Sequence, residues 1–344
     1  RGSGFWPRFI ALTLCTTLSR VDILSGLAEV PAGLNGPVVT IGVFDGVHRG
    51  HQKLIGHAVD RAREAGAPSV LMTFDPHPVA VFAPEHTPDV LMPLTERARL
   101  IESLGVDYML VIDFTKELAG ESPEDYFVQV IVDKLHASRV VVGENFTFGA
   151  GGLGTARTMQ ELGEKYGVDV DIVPLLFDGS SRVCSTSIRH ALAEGEVGQA
   201  SEFLGRAFSV TARVERGAGR GGRELGYPTA NQYVGDNEAV PGDGVYAGWF
   251  TVLPEEGTGP IDGDMELEVC YPAAISVGTN PTFGDARRSV ESFVLDRDAD
   301  LYGRLARVEF IAKVRDMVKF DSVDELLENM ARDVATVRTL LERA

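Results

Sequence analysis

Between residue 38 and about residue 204 two kinds of stretch alternate. Short apolar runs at 38–44, 69–74, 107–112, 139–142 and 168–173 are rich in Val, Ile and Leu. Such runs read as strands buried on both faces. Helix-length segments separate them. Residues 52–63 are amphipathic, Thr95 opens a second segment that closes at Gly105, and Ser122-Pro123 opens a third. In that third segment Ser122 is the N-cap and Pro123 the first helical residue, with Glu124 and Asp125 near the positive end of the dipole. Strands alternating with helices predict a doubly wound parallel sheet, whose ligands bind at the carboxyl ends of the strands.

Beyond residue 205 the pattern changes. Runs at 208–214, 244–253, 265–277, 289–295 and 306–314 follow one another without intervening helices. Only residues 322–343 keep a helical period, with Leu326, Leu327, Met330, Val334 and Val337 on one stripe. Short strands with Gly and Pro corners predict a small β-barrel, here with a C-terminal helix. The expected fold class is therefore α/β: a domain over 21–204, then a barrel domain over 205–344. Residues 1–20 resemble a signal peptide only in two arginines and an apolar run, and no small-x-small cleavage site follows. They are read as an extension outside the fold.

Composition narrows the function. The net charge of −18 over 344 residues argues against nucleic-acid binding, which needs a Lys and Arg surplus. Cys15, Cys184 and Cys270 are far apart and have no metal-ligand spacing, which fits a reducing compartment. No apolar run is long enough to span a bilayer, so a cytoplasmic protein is expected, with no membrane partner. Homo-oligomerisation stays open.

The segment "GVFDGVHRGH" (42–51) places His48 and His51 at a strand-to-helix corner. Free backbone N–H groups and the helix dipole attract anions there. Imidazole N–H groups at such a corner can hold phosphate oxygens and stabilise a leaving pyrophosphate. The alternative is a pair of solvent-exposed turn residues. "GENFTFGAGG" (143–152) follows the fourth strand, where a binding loop is expected, and "SRVCSTSIRH" (181–190) puts Arg182, Ser185, Thr186 and Arg189 around a helix start. Hydroxyls and guanidinium groups at a helix N-terminus form a second phosphate clamp.

Together, "GVFDGVHRGH", "GENFTFG" and "CSTSIR" resemble the adenylyltransferase module of prokaryotic bifunctional riboflavin kinase/FAD synthetases, a branch of the HxGH nucleotidyltransferases. The resemblance implies that His48, His51, Asn145 and Arg182 hold ATP phosphates and the transition state. Ser185, Thr186 and Arg189 then form the second clamp, with Gly42, Phe44, Asp45 and Gly46 lining the nucleotide. Many relatives have Ser where Cys184 stands. A flavin ring needs an apolar, partly aromatic slot, for which Phe82 and Tyr126 are the candidates.

"RGAGRGGRELGYPTAN" (216–231) satisfies GxGxxG through Gly217, Gly219 and Gly222, yet it runs into Pro228 and a strand rather than opening a helix. It reads as a flap carrying Arg220 among other arginines, suited to covering phosphates, or as a solvated hairpin loop. Thr229 and Asn231, two residues apart on a strand, share a face and offer hard oxygen ligands suited to Mg²⁺ bridging ATP phosphates. Glu291 in "SVESFVLD" shares a strand face with Phe293 and Leu295, as a base or as the partner of a nearby arginine. "GRELGYPTAN", "DGVYAG", "SVGTNPTFG" and "ESFVLD" resemble, in order, the motifs of the riboflavin kinase module. The resemblance implies that Thr229 and Asn231 form the Mg·ATP site and that Glu291 deprotonates riboflavin. The expected activities are riboflavin kinase and FMN adenylyltransferase, with ATP, riboflavin and FMN as substrates. A single-activity enzyme with one decayed module, or a non-catalytic flavin carrier or sensor, are the alternatives.

Overall fold

The computed structural model describes residues 21–216, 227–235, 237–280, 285–320 and 322–343. The 1–20 segment and the Gly-rich stretch with Gly217, Gly219, Arg220 and Gly222 lie outside the described residues. Six strands, β1 (Asp22–Ser25), β2 (Val38–Ile41), β3 (Ser69–Asp75), β4 (Tyr108–Asp113), β5 (Arg139–Gly143) and β6 (Asp169–Val173), form a sheet in the order β1-β4-β3-β2-β5-β6. Every pairing in it is parallel. β1 was not anticipated, since "DILS" is too short and too polar to register as a run.

Alternate residues serve the two faces. Val38, Leu71, Met109 and Val141 pack against α1 (Arg49–Ala65) and α2 (Leu94–Ser103). Val39, Val70, Leu110 and Val140 pack against α3 (Phe127–Lys134) and α4 (Ala156–Tyr166). α3 is wound as a π-helix and continues an α-helical turn, Pro123–Tyr126, capped by Ser122 as expected. α1 starts earlier than the apolar pattern suggested, because His48 caps it. α2 follows Pro93, so Thr95 lies inside its first turn instead of capping it.

Contacts divide the described chain into two compact units, 21–185 and 186–343. The second begins with α5 (Ser185–Ala193) and α6 (Val197–Leu204). These helices cluster with the barrel, since Gly242 N–H donates to Leu192 O at 2.7 Å. A Cβ on Gly195 would meet Tyr246 Oη at 2.9 Å.

The barrel strands are β7 (Phe208–Glu215), β8 (Ala230–Gln232), β9 (Gly244–Val252), β10 (Cys270–Asn280), β11 (Asp285–Val294) and β12 (Leu305–Arg315). They close antiparallel in the order β7-β8-β11-β10-β9-β12. Val210, Ile275, Val290, Val308 and Phe310 are buried. β10 starts later than the run at 265–277 predicted. Glu268 takes a left-handed φ of 61° and donates its N–H to Val252 O, which breaks the extended chain.

α7 (Val323–Leu341) is capped by Ser322 and packs Val337 and Leu341 against Ala247 and Leu295. Its buried stripe also contains Asp333, which takes three hydrogen bonds of 2.8 to 3.1 Å from the Arg315 guanidinium. Removing one partner of a buried pair strands the other charge. Asp333→Ala is expected to destabilise the barrel unit by about 3 kcal/mol, measured as a lower denaturant midpoint.

Candidate active sites

The first site follows from strand order. From β2 the chain proceeds to β3 and β4 on one side, while β5 and β6 lie on the other. The order therefore reverses between β2 and β5, the switch point outside whose carboxyl ends ligands of such sheets bind. Residues 42–48 follow β2, and Asn145, exposed in a turn, follows β5.

The corner after β2 is conformationally costly. Phe44, Gly46 and Val47 have φ of 53°, 80° and 39°. A left-handed β-branched residue such as Val47 is an outlier, costing on the order of 1–3 kcal/mol. Both Phe44 and Val47 are buried, so core packing holds them there. Gln52 Nε2 donates to Val47 O at 2.8 Å, and Thr73 Oγ1 donates to Val43 O at 3.0 Å. The Asp45 carboxylate is buried and accepts from Leu91 N–H at 3.0 and 3.1 Å. Asp45 thus serves the corner's own architecture. Gly42 gives the Phe44 ring room, since a Cβ there would lie 3.2 Å from it.

His48 caps α1 through its ring: Nδ1 accepts from His51 N–H at 3.2 Å. An accepting Nδ1 carries no proton, so the proton of the neutral ring sits on Nε2 as a donor. The His48 and His51 rings stack with centroids 3.5 Å apart at 19°. Gly50 makes this possible, since a Cβ would lie 3.1 Å from the His48 ring. Its role is space at the ring, whereas Gly46 supplies the turn. Burial, then the charges of His48 and Arg97, hold the His51 pKa well below its ordinary value. Its Nδ1 is buried with no hydrogen-bond partner among the described residues.

Arg182 lies on a short hairpin, Ser181–Arg182 against Phe177–Asp178. That hairpin is tied to α1 by a 2.5 Å ion pair between Asp178 and Arg49. Ser185 Oγ donates to Asp45 O at 2.9 Å, which holds the 182–185 segment against the corner. Thr186 and Arg189 stand further along α5, in the other compact unit. Phe82 is 60% exposed and stands edge-on to Phe114. Tyr126 is buried, its hydroxyl directed at Met72 Sδ and its ring 5.8 Å from Phe148, and burial raises its pKa. Arg97 was missed, although an arginine between Leu94 and Ile101 on an apolar helical stripe was a visible signal.

The second site is a row across the barrel wall. Glu215, Asn231, Glu291 and Ser276 are successive register partners on β7, β8, β11 and β10. Partners in register share a face, so the Asn231 amide and the Glu291 carboxylate are neighbours. Asn231 Nδ2 lies 3.1 Å from Thr229 O and 3.4 Å from Thr229 Oγ1, which brings all three together. Ser289 Oγ donates to Glu291 Oε1 at 3.1 Å, and Tyr227 stands edge-on to Phe293 beside them.

Imidazole and hydroxyl donors at a switch point, and a carboxylate beside an amide and a hydroxyl on a barrel wall, are the groups that phosphate chemistry uses. The comparisons narrow the class. Residues 31–187 match the FAD synthetase family and residues 204–341 the riboflavin kinase family. A bifunctional riboflavin kinase/FMN adenylyltransferase of Escherichia coli K12 is 34% identical over 92% of this chain and 95% of its own length. The protein of that name from Bacillus subtilis 168 is 35% identical over 86% and 90%. A solved structure from Streptococcus pneumoniae, described as a macrolide-efflux protein, has a TM-score of 0.81 at 30% identity over 92% of this chain and 99% of that one. The efflux description stays with that protein; no helix among the described residues is long and apolar enough to cross a membrane. The chain belongs to the bifunctional riboflavin kinase/FMN adenylyltransferase family, with the FAD synthetase module first and the riboflavin kinase module second.

The lowered His51 pKa has a consequence for stability. The unfolded chain protonates His51 near pH 6.5, the folded chain only at lower pH, so between the two values the unfolded state binds more protons. Stability is therefore expected to fall as pH drops through about 6.5. Thermal melts from pH 7.5 to 5 should show a steeper loss for the wild type than for His51→Gln.

Proposed function

We propose that each reaction of the family is carried out by the constellation found in its own module. The carrying observation is a contrast in chemistry: the barrel row places Glu291 beside Asn231 and Thr229, while the corner gathers imidazoles and keeps the Asp45 carboxylate buried on Leu91 N–H.

In the kinase module, over 205–344, Glu291 takes the proton from the riboflavin 5′-hydroxyl, which attacks the γ-phosphorus of ATP. FMN forms and ADP leaves. A neutral alcohol needs such a base. Thr229 and Asn231 fit Mg²⁺ by chemistry, since a hydroxyl and an amide oxygen are hard donors; the amide presents Nδ2 to Thr229 Oγ1 at 3.4 Å, so Asn231 Oδ1 is the atom that would turn to the ion at the ATP phosphates. Mg²⁺ when bound neutralises phosphate charge. No cluster of three His, Cys, Asp or Glu able to hold a metal occurs among the described residues, which fits an ion shared with substrate rather than caged by protein.

In the adenylyltransferase module, over 21–204, the FMN phosphate attacks the α-phosphorus of ATP, forming FAD and releasing pyrophosphate. The nucleophile is already anionic and needs no base. His48, through its Nε2 proton, joins His51, Asn145, Arg182 and Ser185 to hold the phosphates and the charge that builds on the leaving group. Phe82 offers an exposed ring face for the flavin, while Tyr126 is packed in the core against Met72 and Phe148. Use of ATP in both steps fits a cytoplasmic location.

Incubation with riboflavin, ATP and Mg²⁺ should yield both FMN and FAD, resolved by chromatography. Asn231→Ala or Glu291→Gln is expected to lower FMN formation by about 100-fold or more while FAD synthesis from supplied FMN persists. His48→Ala should do the reverse, with a loss of about 100-fold. Formation of one product alone by the wild type would identify a decayed module, and formation of neither a carrier.

A further inference from the structure

Arg97 projects from the buried side of α2, beside Ala98 and Ile101, and is 6% exposed. Arginine is almost never found there without a partner or a use. Its Nη1 donates to Val43 O at 3.0 Å and reaches Thr73 Oγ1 at 3.4 Å. Its Nη2 stands 4.0 Å from Asp45 Oδ1, at the outer limit of an ion pair, while both Asp45 oxygens accept from Leu91 N–H. Its Nε is buried with no hydrogen-bond partner among the described residues. The guanidinium therefore grips the strained corner by a backbone carbonyl and is only loosely neutralised.

We infer that Arg97 is a positioning residue of the FAD-forming centre: it anchors the Val43 carbonyl from behind the corner and supplies a fixed positive charge beside the stacked histidines. The inference rests on the reading of that corner as the adenylyl-transfer centre. A residue needed only to fill space at this stripe position would be apolar, since replacing buried ionic groups by hydrophobic ones of similar volume is often neutral or stabilising. A charge is useful when something nearby reads it. His51 does so: His48 and Arg97 both oppose its protonation, while Asp45 and Asp75 are the carboxylates that face Arg97. The Arg97 charge persists at every working pH. An ATP polyphosphate entering the corner thus meets a neutral His51, the Nε2 donor of His48 and the field of a cation buried on the Val43 carbonyl of the same corner.

The test uses the full chain with Arg97→Met, Arg97→Lys and His48→Ala, assaying FAD formation from FMN and ATP across pH and FMN formation from riboflavin. Arg97→Met is expected to reduce kcat for FAD formation by about 10- to 100-fold. It should also move the acidic limb of the pH profile toward neutrality, because His51 then accepts a proton more readily. FMN formation should be unchanged. Arg97→Lys keeps the charge and should keep the wild-type limb with most of the rate. A wild-type rate and an unmoved limb in Arg97→Met would overturn the inference. If His48→Ala still abolished FAD formation, that failure would concern Arg97 alone; wild-type rates in both would overturn the reading of the corner. If Arg97→Met loses its cooperative melt, Arg97→Lys decides: an unmoved limb supports the inference and a moved one overturns it.

Discussion

The corner after β2 depends on a backbone that would not hold its shape alone. Left-handed conformations at Phe44 and Val47 are tolerated because both side chains are packed into the core between α1 and the sheet. The carbonyls that this turn leaves facing inward are then taken up: Val43 O by Thr73 and Arg97, Val47 O by Gln52, and Asp45 O by Ser185. With the corner fixed, His48 reaches the N-cap position and His51 stacks on it. Strain stored in a binding loop and opposed by surrounding packing is a familiar arrangement for a preorganised site.

The barrel solves the opposite problem. Its site needs no strained backbone, only register. Antiparallel pairing of β8 with β11 puts Asn231 opposite Glu291, and a slip of one residue would send every side chain of β8 to the other face. Gln232, fully buried, guards against that slip, because its Nε2 donates to both Ala212 O at 2.7 Å and Ala306 O at 2.8 Å. In the proposed assignment the chemistry of one module stands on a corner and that of the other on a ladder. Converging N–H donors suit the gathering of phosphates, whereas a hydroxyl nucleophile needs a carboxylate.

Much of this was legible in the chain. Five of the six parallel strands, the change of pattern after residue 205 and the C-terminal helix all follow from apolar periodicity, because burial on one or two faces writes itself into residue spacing. The two segments proposed to hold phosphate and the Thr229–Asn231 pair were also visible, since polar groups placed where apolar or turn residues would suffice call for a reason. Roles that depend on a partner distant in sequence were not visible. Nothing in the spacing announces that Leu91, far along the chain, takes the Asp45 carboxylate inward. Nor does it announce that the Tyr126 hydroxyl meets Met72 Sδ and its ring lies beside Phe148.

Local order and tertiary contact therefore contribute different things. Spacing along the chain was enough to give the parallel-sheet module, the barrel module and the residue types able to handle phosphate, because each is fixed by neighbours within a few positions. Which nitrogen of His48 bears the proton, why a side chain at Gly50 would crowd the His48 ring and why an arginine sits on the apolar stripe of α2 were determined by the folded molecule alone. Each depends on groups that meet only when α1, α2 and the corner are packed together, and no periodicity records a meeting of that kind.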